Sequence, residues 1–207
     1  MSELTHPVFT VGHSTHTLEV FVALLSRHGV TALVDVRSTP YSRANPQFNR
    51  ETLERHLKAQ GIKYVFLGAE LGARSNDLTC YEHGRVQYAR LARTDLFRSG
   101  IERVIRGAND YRVALMCAEK EPLDCHRTIL VARALTELGV TVQHILADGR
   151  LESHDATMER LLQVIGLRDH DLFRSRDDLI AEALVRQEQR VAYVDEALAA
   201  GAAGETP

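Results

Sequence analysis

The sequence predicts an α/β fold: a mainly parallel five-stranded sheet with helices on both faces, doubly wound, followed by a C-terminal helical extension. Short apolar runs of strand length alternate with longer segments whose apolar residues recur at helical spacing, through residues 7–145. Gly29, Gly61 and Gly139 each follow a helical segment, where a residue without a Cβ ends a helix most readily. Strands separated by helices run parallel through right-handed crossovers, so the alternation itself implies the sheet.

Pro7–Gly12 reads as a short buried strand, and Thr17–His28 repeats Leu18, Phe21, Val22, Leu24 and Leu25 at helical spacing until Gly29. Thr31–Val36 is the second strand. The loop holding Pro40 and Pro46 delivers Asn49 as N-cap of a helix over Arg50–Gln60. Ile62–Leu67 alternates as a third strand, and a glycine-bearing segment leads into helical patterns from Val86 to Ala108. Arg112–Cys117 is the fourth strand, Cys125–Leu138 a helix, and Thr141–Ile145 the fifth strand. Charged helical patterns over Asp155–Ile165 and Ser175–Ala200 form the extension, suited to packing on the domain or on another copy as an oligomer. The expected organisation is a domain over 1–150, helices over 151–200 and a disordered tail of small residues over 201–207.

With 207 residues and 44% hydrophobic content, the chain can bury a sizeable core without staples. Its three cysteines form no disulfide framework, which fits a reducing, cytoplasmic setting. No basic segment followed by an apolar stretch opens the sequence, and no apolar run reaches the roughly 18 to 20 residues of a membrane span. A formal net charge of -3 excludes a global attraction to nucleic acid or anionic lipid, so any anion site must be local. The stretch 37–50 offers one, carrying Arg37, Arg43 and Arg50 and no acid, with Tyr41 and Phe48 interleaved as stacking rings or as loop anchors.

In open α/β sheets, ligands bind outside the carboxyl ends of the strands. Those ends lead into His13 and Ser14, Arg37, Glu70–Arg74, and Cys117 with Glu119, which therefore share one rim. Asp35 lies inside an apolar strand and demands a partner, Arg37 or Arg127, either as a rim-fixing ion pair or as an orienting carboxylate. His13 and Ser14 are an acid/base and a phosphate donor, or a helix cap. Cys117 is a buried core thiol, a nucleophile or a metal ligand. Cys125, His126 and Arg127 open a helix, whose dipole favours a thiolate or a bound anion. Cys117, Cys125, His126 and His13 also compose a nitrogen/sulfur set suited to zinc or iron, and Cys80 with His83 is a weaker second pair. His144, within a strand, reads as a core histidine.

Thr10–Ser14, Leu33–Pro40 with Ser42 and Arg43, Phe48–Asn49, Leu71–Gly72, Leu115–Glu119, Cys125–Arg127 and His144–Ile145 closely resemble the DUF488 family, small bacterial and archaeal proteins of unknown function. One departure is Ala73, where the family usually has a second glycine. A more distant similarity is to rhodanese-like domains, which implies sulfur or oxyanion chemistry at Cys117. The leading expectation is an enzyme acting on a phosphate- or sulfur-containing anion or nucleotide. Ser14, Arg37, Ser42, Arg43, Arg74, Glu119, Cys125 and Arg127 would bind it, and Cys117, His126, His13 and Asp35 would carry the chemistry. The alternatives are a non-catalytic nucleic-acid-binding protein and a metal-binding domain.

Overall fold

The computed structural model of the chain describes residue 4, residues 6–167 and residues 173–203. Its elements in chain order are β1 (Val8–Gly12), α1 (Leu18–Arg27), β2 (Ala32–Asp35), α2 (Arg50–Ala59), β3 (Lys63–Phe66), α3 (Gly68–Leu71), β4 (Tyr81–Glu82), β5 (Arg85–Val86), α4 (Tyr88–Leu91) and α5 (Asp95–Asp110). There follow β6 (Val113–Cys117), α6 (Arg133–Glu137), β7 (Val142–Ile145), β8 (Leu151–Ser153), α7 (His154–Ile165), α8 (Arg176–Val191) and α9 (Glu196–Ala203).

The main sheet has six strands, not the expected five, in the order β3-β2-β6-β1-β7-β8. The five expected strands run parallel, and β8 adds an antiparallel edge against β7. β8 escapes sequence reading because its three residues carry no apolar alternation, Leu151 being exposed. The parallel strands alternate two apolar sets, as strands buried on both faces must. Phe9, Val11, Leu33, Ala114 and Met116 pack with α1 and α2, whereas Val8, Val34, Val113 and Leu115 pack with α5, α7 and α8.

Helix ends follow local chemistry. Thr17, Thr94 and Ser153 accept from backbone N–H groups at the starts of α1, α5 and α7. Asn49 precedes α2 as expected, but its side chain turns away from the helix and accepts from Ser42 N at 2.7 Å. The expected continuous helix from Cys125 is instead a π-helical turn over Arg127–Ala132 leading into α6, a feature that often marks functional sites. The expected helix over 175–200 breaks between α8 and α9, where Val194 bridges to Arg85 and Tyr193 O accepts from Val86 N. Leu179, Ala183 and Leu184 of α8 bury against the domain, so the extension packs on its own chain. Of the expected tail, residues 201–203 continue α9, and the remainder lies outside the described residues. Among the described residues, no helix is long and apolar enough to cross a membrane.

His144 is a satisfied core histidine: Nδ1 lies 2.8 Å from Thr10 Oγ1, and Nε2 lies 3.1 Å from His154 Nδ1. Burial, reinforced by the charges of His154, Arg127 and Arg160 and opposed by Cys125, holds His144 well below its ordinary pKa. Burial brings His154 down to about 4, with Asp155 opposing and Arg133 adding. The folded chain keeps both rings neutral while the unfolded chain protonates them near pH 6.5. Stability is therefore full above that pH and falls as pH drops toward 4, by on the order of 1 kcal/mol per pH unit for each ring. Urea midpoints measured between about pH 7 and pH 5 should show this slope, and His154→Gln should flatten it. An unchanged slope in that variant would assign the acid sensitivity elsewhere.

Candidate functional site

β6 lies between β2 and β1, with Cys117 in register with Gly12 and Met116 with Asp35. Segments distant in sequence therefore end side by side. A cleft of about 470 Å³ opens beyond these carboxyl ends.

On the β2 side, Asp35 is fully buried and accepts from Arg37 N at 3.1 Å, Arg37 Nε at 2.9 Å, Arg37 Nη2 at 2.6 Å and Tyr64 Oη at 2.8 Å. Of the two candidate partners, Arg37 is the one that pairs. Its Nη2 also donates to Phe48 O at 2.9 Å, and Nη1 lies 3.3 Å from His13 Nε2. His13 Nδ1 meets Ser14 O at 2.9 Å, so a proton on Nδ1 leaves Nε2 free to accept from Arg37. Burial brings the His13 pKa down to about 4, in keeping with a neutral ring. Ser14 adopts φ 49°, a left-handed conformation uncommon for a residue with a side chain, and its N–H donates to Ala118 O. Ser14 thus contributes its main chain to the arrangement.

On the β6 side, the loop 118–124 crosses so close above β1 that a Cβ at Gly12 would stand 1.9 Å from Glu119 O. Arg127 is fully buried and donates to Glu119 O at 2.7 Å and to Lys120 O at 3.3 Å. This guanidinium holds the loop and does not line the cleft, in contrast to the expected anion-ligand role. Cys117 Sγ and Cys125 Sγ lie 3.7 and 3.9 Å from His126 Nδ1, and Cys125 Sγ lies 2.9 Å from Glu119 Oε2. His126 Nε2 is 3.0 Å from Val36 O.

The environment separates the two thiols. The hydrogen bond with Cys125, together with burial, pushes Cys117 well above the ordinary cysteine range. Burial opposes ionisation of Cys125, yet the Cys117 hydrogen bond, the Arg127 charge and His126 hold it well below that range. Burial and the Cys125 charge raise Glu119. Burial would lower His126, but Cys125 and Glu119 hold it above its ordinary value.

The cleft brings together His13, Arg37, Ser42, Arg74, Cys117, Glu119 and His126. Asp35, Cys125 and Arg127 sit beneath it, and Arg43 points to solvent outside it. The 37–50 stretch is no open grip, since Phe48 is buried against His13, Tyr41 donates to Glu51 and the Arg50 guanidinium lies over Phe66. Cys80 packs in the core while His83 is exposed in the β4–β5 turn, so the second cysteine–histidine pair does not form a site. Sequence reading missed Tyr88 and Tyr193, which also line the cleft. Tyr88 sits in an apolar helical pattern that marks it as packing. Tyr193 comes from the extension and stacks under the Arg74 guanidinium, 4.4 Å from its ring centroid, a contact with no local signal.

No curated protein and no solved structure matches the chain. A family profile described as "Domain of unknown function DUF488" matches residues 17–134, more than half of the chain and inclusive of Asp35, Arg37, Cys117 and Cys125–Arg127. The chain belongs to the DUF488 family.

Proposed function

We propose that this protein is an enzyme that binds a small phosphate- or nucleotide-like anion in the rim cleft and converts it against the Cys117/His126 floor. The observation that carries this reading is the convergence of Arg37, Arg74 and His13 with Cys117, Glu119 and His126 around one cleft large enough for a small ligand. Arg37 supports it as a preorganised cation: Asp35 and Phe48 O hold one edge of the guanidinium, while Nη1 points to His13 at the cleft wall. Arg74, exposed and stacked on Tyr193, supplies a second cation to the cleft lining. The Ser38 and Ser42 hydroxyls along the same wall suit phosphate oxygens.

Inorganic phosphate, sulfate and a series of nucleoside phosphates, tested at low salt by calorimetry and thermal shift, should include at least one binder. Arg74→Ala should weaken that binder by about ten- to a hundredfold, since one charge-assisted hydrogen bond is worth roughly 1.5–3 kcal/mol. If no member of the series binds, or if Arg74→Ala binds as tightly as the parent, the anion reading is wrong. Short DNA and RNA belong in the same series. Tight binding of these without preference for free nucleotides would favour a nucleic-acid role.

A further inference from the structure

At the floor of the cleft, three donor atoms from two segments of the chain lie close together. Cys117 Sγ comes from the end of β6, and Cys125 Sγ and His126 Nδ1 from the start of the π-helical turn, all lying within 4.8 Å of one another. The two sulfur–nitrogen separations are 3.7 and 3.9 Å. A tetrahedral zinc ion with bonds of about 2.3 Å to sulfur and 2.0 Å to nitrogen sets ligand–ligand edges of roughly 3.5 to 3.8 Å. The two sulfur–nitrogen edges are slightly longer than such an edge, and the sulfur–sulfur separation is within 4.8 Å, so a small inward movement would seat an ion on all three atoms.

The surroundings supply what a metal centre requires of its next layer. Metal-binding histidines almost always donate their second ring N–H to a fixed acceptor, which sets the tautomer and aims the free lone pair. His126 meets that condition through Nε2 and Val36 O at 3.0 Å, which leaves Nδ1 toward both sulfurs. The Arg127 backbone N–H lies 3.4 Å from Cys125 Sγ, a bond that suits a thiolate. Tyr88 provides a second, independent observation. It is only 3% exposed, it lines the cleft, and its hydroxyl has no hydrogen-bond partner among the described residues. Such a hydroxyl lacks the partner that nearly all buried polar groups have, and a group bound in the cleft would supply it. Glu119 stands beside Cys125 Sγ at 2.9 Å and lines the same cleft.

We propose that Cys117, Cys125 and His126 bind a divalent metal ion of the zinc class at the floor of the cleft. A fourth ligand position would open to the cleft that Glu119 and Tyr88 line. Three protein ligands with an accessible fourth position are the pattern of catalytic rather than structural zinc. The two cysteines are then ligands, not free nucleophiles, and the metal is the Lewis acid of the cleft proposed above. Only that role toward a substrate rests on the anion reading, since the metal site stands on its own geometry.

The 207-residue chain, purified without chelators from zinc-supplemented cells, is expected to carry about one zinc ion per chain by elemental analysis. The metal-free form is expected to take up cobalt(II) with an intense thiolate-to-metal charge-transfer band. In mild denaturant, where buried thiols become reachable, zinc should slow alkylation of Cys117 and Cys125 far more than that of the equally buried Cys80, mapped by mass spectrometry. Cys125→Ser and His126→Gln should lose stoichiometric uptake. If these variants fail to fold, the cobalt spectrum and the alkylation map of the parent protein decide alone. Absence of both the cobalt band and the zinc protection, with no bound zinc, overturns the proposal, as does a Cys117–Cys125 disulfide that zinc and cobalt leave intact under reduction. Metal content is read without any anion present. Zinc binding with no anion binding removes the cleft reading and keeps the metal, and the reverse outcome removes the metal alone.

Discussion

Replacing Asp35 with alanine is expected to destabilise the protein by about 3–5 kcal/mol, the range for removing one partner of a buried ion pair. The carboxylate is fully buried and accepts from three Arg37 nitrogens and from Tyr64 Oη. Without it, a guanidinium that is only 6% exposed keeps Phe48 O and His13 as neighbours and loses its counter-charge. Most of the loss reflects that stranded cation and not the strength of the pair, so Asp35→Ala combined with Arg37→Met should recover a large part of it. Urea denaturation of the two single variants and the double variant measures this coupling directly. A double variant no more stable than Asp35→Ala would show that the carboxylate acts mainly through Tyr64 and the β2 backbone. Anion affinity should fall in Asp35→Ala and stay low in the double variant, because Arg37 no longer presents Nη1 to the cleft.

Gly12→Ala is expected to fall at or above the upper end of the roughly 1–3 kcal/mol that overpacking costs. The added methyl would meet Glu119 O at 1.9 Å, Glu119 C at 2.8 Å and Lys120 Cα at 3.2 Å, all main-chain atoms. The loop cannot yield easily, because the buried Arg127 guanidinium holds the Glu119 and Lys120 carbonyls from below. Accommodation displaces the main chain of Glu119, a residue that lines the cleft and contacts Cys125, so metal uptake and anion binding should weaken together with stability. Gly61→Ala is the matched control. Its φ of +72° strains an alanine, yet nothing lies within 4 Å of the new methyl, so the cost should stay at about 1–2 kcal/mol with the site intact. Equal losses in the two variants would mean that the contact with the loop is not what requires glycine at position 12.

The elements themselves were legible because their signals are local. Apolar spacing identified the five parallel strands and α1, α2 and α7, and Gly29, Gly61 and Gly139 all take the positive φ that ends a helix. The need of Asp35 for a partner was legible too, since a charge within an apolar strand must be neutralised somewhere. Cys125 and His126 stood out for their place at a helix start. The choice of Arg37 over Arg127 was not legible, because it depends on which guanidinium reaches across two residues of β2 and which lies under the loop of β6. Asn49 shows the same limit on a small scale: its position before α2 was clear, but its side chain serves Ser42 through a contact that closes the loop.

What the sequence determined by itself is the alternation of strand and helix and the gathering of His13, Arg37, Cys117 and Glu119 at strand ends, since both follow from periodicity and chain direction. Only the tertiary structure decided that β6 enters between β1 and β2, and so set Cys117 level with Gly12 and brought His126 within reach of Val36. It also decided that Tyr88 and Tyr193 line the cleft and that Arg127 is a strut beneath it. Strand order and side-chain direction depend on contacts between residues far apart in sequence, such as Val8 with Val142 and Val36 with His126, where no local pattern carries information.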